Sequence, residues 1–214
     1  MVKAYFEHVD VWVFDLDHTL YPPESALFSQ IEELMRHYVA KTLSVDLDEA
    51  DRLRDHYWRL YGTTLAGLMA EHQIDPDPFL DAVHRIDFSV LRPDPALATA
   101  LRALPGRKVV YTNGTRPYAN DVLTALGLTG LFDAVYGVEH ANYRPKPEQA
   151  AFEAVFALDD LPPERGAFFE DSPRNLTVPH AMGMRTVLVA PEGEYHDHIH
   201  HHTDDLAAFL SQLV

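Results

Sequence analysis

The chain has 214 residues, 47% of them hydrophobic and 23% charged, with no cysteine and a formal net charge of −16. That length suits one domain with a full core, or a core plus a small insert, in an ordinary globular composition. It excludes disulfides, thiolate metal sites and cysteine nucleophiles, and the charge argues against a nucleic-acid polymer or an anionic membrane as partner.

The first apolar run, VDVWVF at 9–14, ends abruptly in Asp15-Leu16-Asp17-His18-Thr19. Four more short β-rich runs follow at 107–111, 132–137, 166–169 and 185–189. Helical patterns lie at 117–127, 147–157, 173–182 and 203–213. Near-continuous apolar strands alternating with helices predict an α/β fold: a three-layer, Rossmann-like core whose parallel sheet is covered on both faces. The connection between the first two strands is too long for one crossover helix. Residues 22–93 carry helical periodicity throughout and are bracketed by Pro22-Pro23 and by Pro93 and Pro95. They predict an α-helical cap, residues 22–93, inserted into a core of residues 1–21 and 94–214. No long apolar span occurs, and MVKAYFEHVDV does not read as a signal peptide, so a cytoplasmic location is expected.

In an open parallel sheet, ligands bind beyond the carboxyl ends of the strands. Asp15, Asp17 and Thr19 follow the first strand, and Thr112, Asn113 and Gly114 the second. Glu170, Asp171 and Ser172 follow the fourth, and Lys146 precedes the helix expected near 147. Asp15, Asp17 and Asp171 would converge at one sheet edge, where clustered carboxylates do not stay ionised without a cation. Oxygen ligands with no sulfur suit Mg²⁺ held through carboxylates, water and a substrate phosphate. The metal and Lys146 would supply the positive charge that the chain otherwise lacks. Thr112 offers a hydroxyl, and backbone N–H groups around Gly114 can approach phosphoryl oxygens. A lone D-x-D carries little weight, and a lysine in a loop is ordinarily solvated. Lys146, however, opposes the helix dipole and is fixed between Pro145 and Pro147. Its place in the strand-end set favours function.

These motifs resemble the haloacid-dehalogenase-like hydrolase superfamily, phosphatase branch: DLDHT its first motif, TNG its second, the lysine of RPKPE its third and EDS its fourth. The resemblance implies Asp15 as nucleophile, Asp17 as general acid/base, and Thr112 and Lys146 as holders of the phosphoryl group. Mg²⁺ would be bound by Asp15, the backbone carbonyl of Asp17, and Asp171. Glu170 stands where glycine is frequent and Asn175 where many members carry a second aspartate, which leaves Glu170 as either a metal ligand or its supporting neighbour. The stretches FDLDHTLYPP, YWRLYGTTLAGL and TNGTRPYANDVL are similar to the pyrimidine 5′-nucleotidase-like group. The implied activity is hydrolysis of a small phosphorylated metabolite, a pyrimidine nucleoside 5′-monophosphate (UMP or CMP). A sugar phosphate or phosphoglycolate substrate and a phosphomutase stand as alternatives. A phospho-acceptor receiver module fits less well, because it carries its acceptor aspartate after a later strand and has no cap.

Other residues are read more plainly. Arg116 is a candidate phosphate contact or a surface ion pair. Tyr57, Trp58 and Tyr61 are chiefly helix packing, with base stacking as the alternative. The His18 side chain is expected to point away from the carboxylates. The five histidines at 196–202 are expected in a solvent-facing loop. The sequence leaves monomer or homodimer open.

Overall fold

The computed structural model describes residues 2–193 and 196–214. Six parallel strands form one sheet in the order β3-β2-β1-β4-β5-β6. They are β1 (Val11–Phe14), β2 (Arg107–Tyr111), β3 (Ala134–Tyr136), β4 (Gly166–Glu170), β5 (Arg185–Val189) and β6 (His201–Thr203). Every residue of β1 and β4 is buried, as expected of central parallel strands. Successive side chains point to opposite faces. Trp12, Phe14 and Phe169 pack in the core layer that also holds helices α5 (Pro95–Ala103), α6 (Arg116–Ala125) and α9 (Leu206–Ser211). Val11, Val13, Tyr111 and Phe168 pack against α7 (Gln149–Leu158), with α8 (Thr177–Ala181) on the same side.

The register fixes which loops meet. Phe14 of β1 lies beside Val110 of β2 and Phe169 of β4. The three chain segments that leave these strands therefore emerge side by side at one edge of the sheet.

Between β1 and β2 lie four helices, α1 (Leu27–Leu43), α2 (Leu47–Tyr61), α3 (Thr64–His72) and α4 (Pro76–Val83). Their starts follow local chemistry. Asp46, Thr63 and Asp75 each accept a hydrogen bond from a backbone N–H of the first turn, and Pro76 occupies the first helical position. Tyr57 is fully buried and its hydroxyl meets His72 Nε2 at 2.7 Å, which ties α2 to α3. Tyr61 bonds Glu71 at 3.1 Å. Both tyrosines thus serve packing, whereas Trp58 is 54% exposed.

Two elements differ from expectation. Helix α5 has a full amphipathic pattern and an Asp94 cap, yet it is not among the expected helices, because Pro93 and Pro95 read as the end of the insert although Pro95 is the first residue of this helix. The histidine segment is not merely a solvent-facing loop. Residues 201–203 pair in parallel with β5, and His200 Nδ1 meets the hydroxyl of buried Thr186 at 2.7 Å. His201 packs on Phe6, with ring centroids 5.0 Å apart. Three polar residues at a sheet edge give no apolar alternation, which hides the strand. No helix among the described residues is long and apolar enough to cross a membrane.

Gly67 of α3 lies directly against Tyr57, and a Cβ there would run into the ring and its Cβ. Gly67→Ala is therefore expected to destabilise the protein by about 1–3 kcal/mol through overpacking. Denaturant unfolding should show a lower midpoint; an unchanged midpoint would contradict this packing.

Candidate active site

Lys146 is the centre of the site. Its side chain is only 1% exposed. The ammonium donates to Asp15 Oδ1 at 2.6 Å, to Glu170 Oε2 at 2.7 Å and to the Tyr111 carbonyl at 3.2 Å. Asn113 fixes the lysine from behind, accepting from its N–H at 2.8 Å and donating to its carbonyl at 3.4 Å. The Asn113 side chain is thus committed to the backbone of Lys146. These bonds knit together the ends of β1, β2 and β4 and the segment that leads into α7.

The electrostatics are unbalanced. Burial pushes Asp15 up to about 7, the charge of Glu170 adds to this, and Lys146 opposes it. Burial likewise pushes Glu170 up to about 7, with Lys146 lowering and Asp171 raising it. Burial opposes the charge on Lys146, but Asp15 and Glu170 outweigh it and hold the ammonium above the ordinary lysine range. The lysine is therefore the fixed charge, and two buried carboxylates compete for it. Oxygens of Asp15, Glu170 and Asp171 lie within 4.8 Å of one another, an arrangement able to hold a metal ion. An all-oxygen donor set with excess negative charge fits a hard divalent cation. Glu170 is also engaged on its other side, where Oε1 accepts from Ser172 N–H at 3.2 Å and Asn175 Nδ2 at 3.1 Å.

Asp17 has a separate environment. Its Oδ1 accepts from Tyr21 at 2.6 Å and Tyr118 at 2.5 Å. Burial raises its pKa, while the two phenolic donors pull it back. Thr112 is fully buried, and its hydroxyl oxygen accepts from Gly114 N–H at 2.9 Å. That N–H consequently faces Thr112. The carboxylates, Thr112, Asn113, Gly114 and Lys146 all line one cavity of about 710 Å³. Its opposite wall comes from α1–α4, including Phe28, Ile31, Met35, Leu65 and Phe79.

Arg116 is placed outside the cavity lining, and the expectation for His18 is corrected. Arg116 is exposed and does not figure among the described residues lining the cavity; its backbone N–H is held by Glu139 at 2.9 Å. It sits at the first position of α6. Arg54 and Arg174 line the cavity instead. His18 does not point away from the carboxylates. Its φ is 62°, a left-handed conformation in the turn beyond the end of β1, and Nδ1 lies 3.6 Å from Asp171 Oδ2. That contact raises the imidazole pKa against the opposing effect of burial. The sequence reading also misses Tyr21, Tyr118 and His84. Tyr21 stands four residues after Asp17 and offers a faint local signal; Tyr118 and His84 offer none.

A protein-family model described as haloacid dehalogenase-like hydrolase matches residues 9–183. The chain belongs to this hydrolase family. "Phosphate metabolism protein 8" of Saccharomyces cerevisiae (strain ATCC 204508 / S288c) is 28% identical over 198 residues, covering 83% of this chain. The chain spans 60% of the length of that curated relative. Solved structures of family members share the fold. An HAD phosphatase from Thermococcus onnurineus matches with a TM-score of 0.63 at 16% identity, covering 96% of this chain and 98% of the other. A 2-haloacid dehalogenase from Pseudomonas syringae pv. Tomato DC3000 matches with a TM-score of 0.59 at 19% identity, covering 96% and 98%.

Lys146→Met should cost about 3–5 kcal/mol, the usual consequence of breaking a buried ion pair and leaving its charges unmatched. The loss should be greater at pH 8 than at pH 5. Asp15 and Glu170 already titrate near 7 in the folded chain, above their ordinary carboxylate values, and losing the lysine raises them further. The folded variant then binds protons that the unfolded chain does not, so its stability falls as pH rises from about 4 through 7 and beyond. Urea unfolding at the two pH values measures this; equal losses would contradict the charge balance.

Proposed function

We propose that the protein is a Mg²⁺-dependent phosphate monoester hydrolase that works through an aspartyl-phosphate on Asp15. The observation that carries this reading is a second carboxyl, Asp17, opening onto the same cavity as Asp15. Displacing halide from carbon needs no proton donor to the leaving group. Expelling an alkoxide from phosphorus does, and a protonatable carboxyl beside the nucleophile supplies one. The shared fold of phosphatases and dehalogenases does not decide between the two; Asp17 is what supports the phosphatase reading. The yeast relative is named for phosphate metabolism, which agrees.

Asp15 attacks phosphorus in line while the phosphorus–oxygen bond to the leaving group breaks, and Asp17 gives its proton to the departing oxygen. Water then attacks the aspartyl-phosphate, its proton passing to Asp17, and phosphate leaves Asp15 restored. Lys146 fixes Asp15 and carries positive charge beside the transferring group, and the Thr112 hydroxyl can donate to a phosphoryl oxygen. Asp15, the Asp17 carbonyl and Asp171 would hold Mg²⁺, with Glu170 at the same cluster as ligand or support. The bound cation would neutralise charge on the phosphoryl oxygens.

In this reading residues 22–93 act as the cap over a core of residues 1–21 and 94–214, and the cap supplies the apolar wall that receives the leaving group. A pyrimidine nucleoside 5′-monophosphate is the proposed substrate. It is supported by the sequence similarity of three stretches and by Trp58, exposed on the cavity lining, where a base can stack. The proposed partner is a small metabolite rather than a polymer or membrane.

Free phosphate release from a panel of monophosphates tests this reading. UMP and CMP should lead, and chelation of divalent ions should stop turnover. Asp15→Asn should abolish activity and Asp17→Asn lower it by about 10²–10⁴-fold, the usual scale of general acid–base catalysis. Full activity in Asp15→Asn would sink the mechanism. A preference for sugar phosphates would sink the nucleotide assignment alone.

A further inference from the structure

We propose that Tyr21 and Tyr118 are positioning residues that commit one oxygen of Asp17 to the protein and leave the other as the sole site of proton exchange. The inference rests on the phosphatase reading above and deepens it. Both phenols donate to the same atom, Oδ1, at 2.6 and 2.5 Å, and their own oxygens lie 3.4 Å apart. A carboxylate oxygen accepting two such donors has its lone pairs occupied, so the proton of a neutral Asp17 sits on Oδ2. No donor among the described residues reaches Oδ2, and Asp17 lines the cavity.

The two rings are themselves fixed. Tyr118 is buried and stacked face to face on His84, with centroids 4.3 Å apart and planes 7° from parallel. Gly114 lies against it, where a Cβ would come within 2.7 Å of the ring. Tyr21 is buried beside His18, edge to face at 5.9 Å. His84 closes α4, so an inserted helix presses on the ring that holds the proton donor. Asp17 is thereby confined to one direction without either tyrosine gaining or losing a proton. In the first step the O–H bond at Oδ2 breaks as the ester P–O bond breaks, and the proton goes to the leaving oxygen. In the second, water returns a proton to Oδ2 as the Asp15–phosphorus bond breaks.

A matched pair of esters isolates this role. p-Nitrophenyl phosphate releases an acidic phenol that needs little protonation, whereas p-nitrobenzyl phosphate releases an alcohol that needs a donor. kcat/KM reports every step through departure of the leaving group. In the double variant Tyr21→Phe/Tyr118→Phe, the loss on the benzyl ester should exceed the loss on the phenyl ester by about tenfold or more, within the range of general acid catalysis. A merely structural role would lower both esters alike, and equal losses, or none, would overturn the proposal. Circular dichroism and thermal unfolding establish that the double variant folds; if it does not, each single variant is read by the same ratio. Failure of the wild-type protein to release phosphate from either ester and from every monophosphate of the panel above would overturn the phosphatase reading itself, a result distinct from equal losses in active variants.

Discussion

An ammonium group buried between two carboxylates is the constraint on which this structure turns. Removing Lys146 from water is costly, by several kcal/mol for a single ion, and is tolerated only because Asp15 and Glu170 lie at hydrogen-bond distance. Those partners come from the ends of different strands, 131 and 24 residues away in sequence. The pair therefore acts as a clasp, and the loops it joins cannot separate without exposing unmatched charge. A single lysine cannot satisfy both acids together with Asp171 nearby. The residual negative charge, gathered on carboxylate oxygens within 4.8 Å of one another, suits the site to a divalent cation on a chain whose formal charge is −16.

Two aspartates spaced two residues apart are held in different surroundings. Asp15 continues the line of β1, its N–H bonded to the Phe169 carbonyl at 2.9 Å, and meets the lysine. Asp17 lies past the strand and meets phenols rather than cations. One carboxylate is held by charge and the other by neutral donors, which suits the first to nucleophilic attack and the second to carrying a proton.

Much of this is legible in the sequence, for a physical reason. Parallel strands are buried on both faces and end at ligand-binding edges, so polar residues immediately after apolar runs mark the site; Asp15, Thr112, Glu170 and Asp171 are all found that way. Lys146 is legible because its position between prolines has no local rationale. Contacts made across the fold leave no such trace. Tyr118 reaches Asp17 over 101 residues, and His84 reaches Tyr118 by stacking, neither with a periodic signature. His18 is misread because β1 has already ended at Phe14, and a left-handed turn residue follows no strand alternation. For Arg116, closeness to a motif in sequence does not place the residue on the cavity lining. β6 escapes because its histidines are neither apolar nor alternating.

Calorimetric titration of the metal-free protein with Mg²⁺, in buffers of different ionisation enthalpy, tests the central claim most directly. Near neutral pH, Asp15 and Glu170 are partly protonated in the closed cluster, and a divalent cation requires them ionised. The account predicts that binding releases protons and that affinity weakens as pH falls from 8 to 6. Binding without proton release and with the same affinity across that range, or no binding at all, would contradict it.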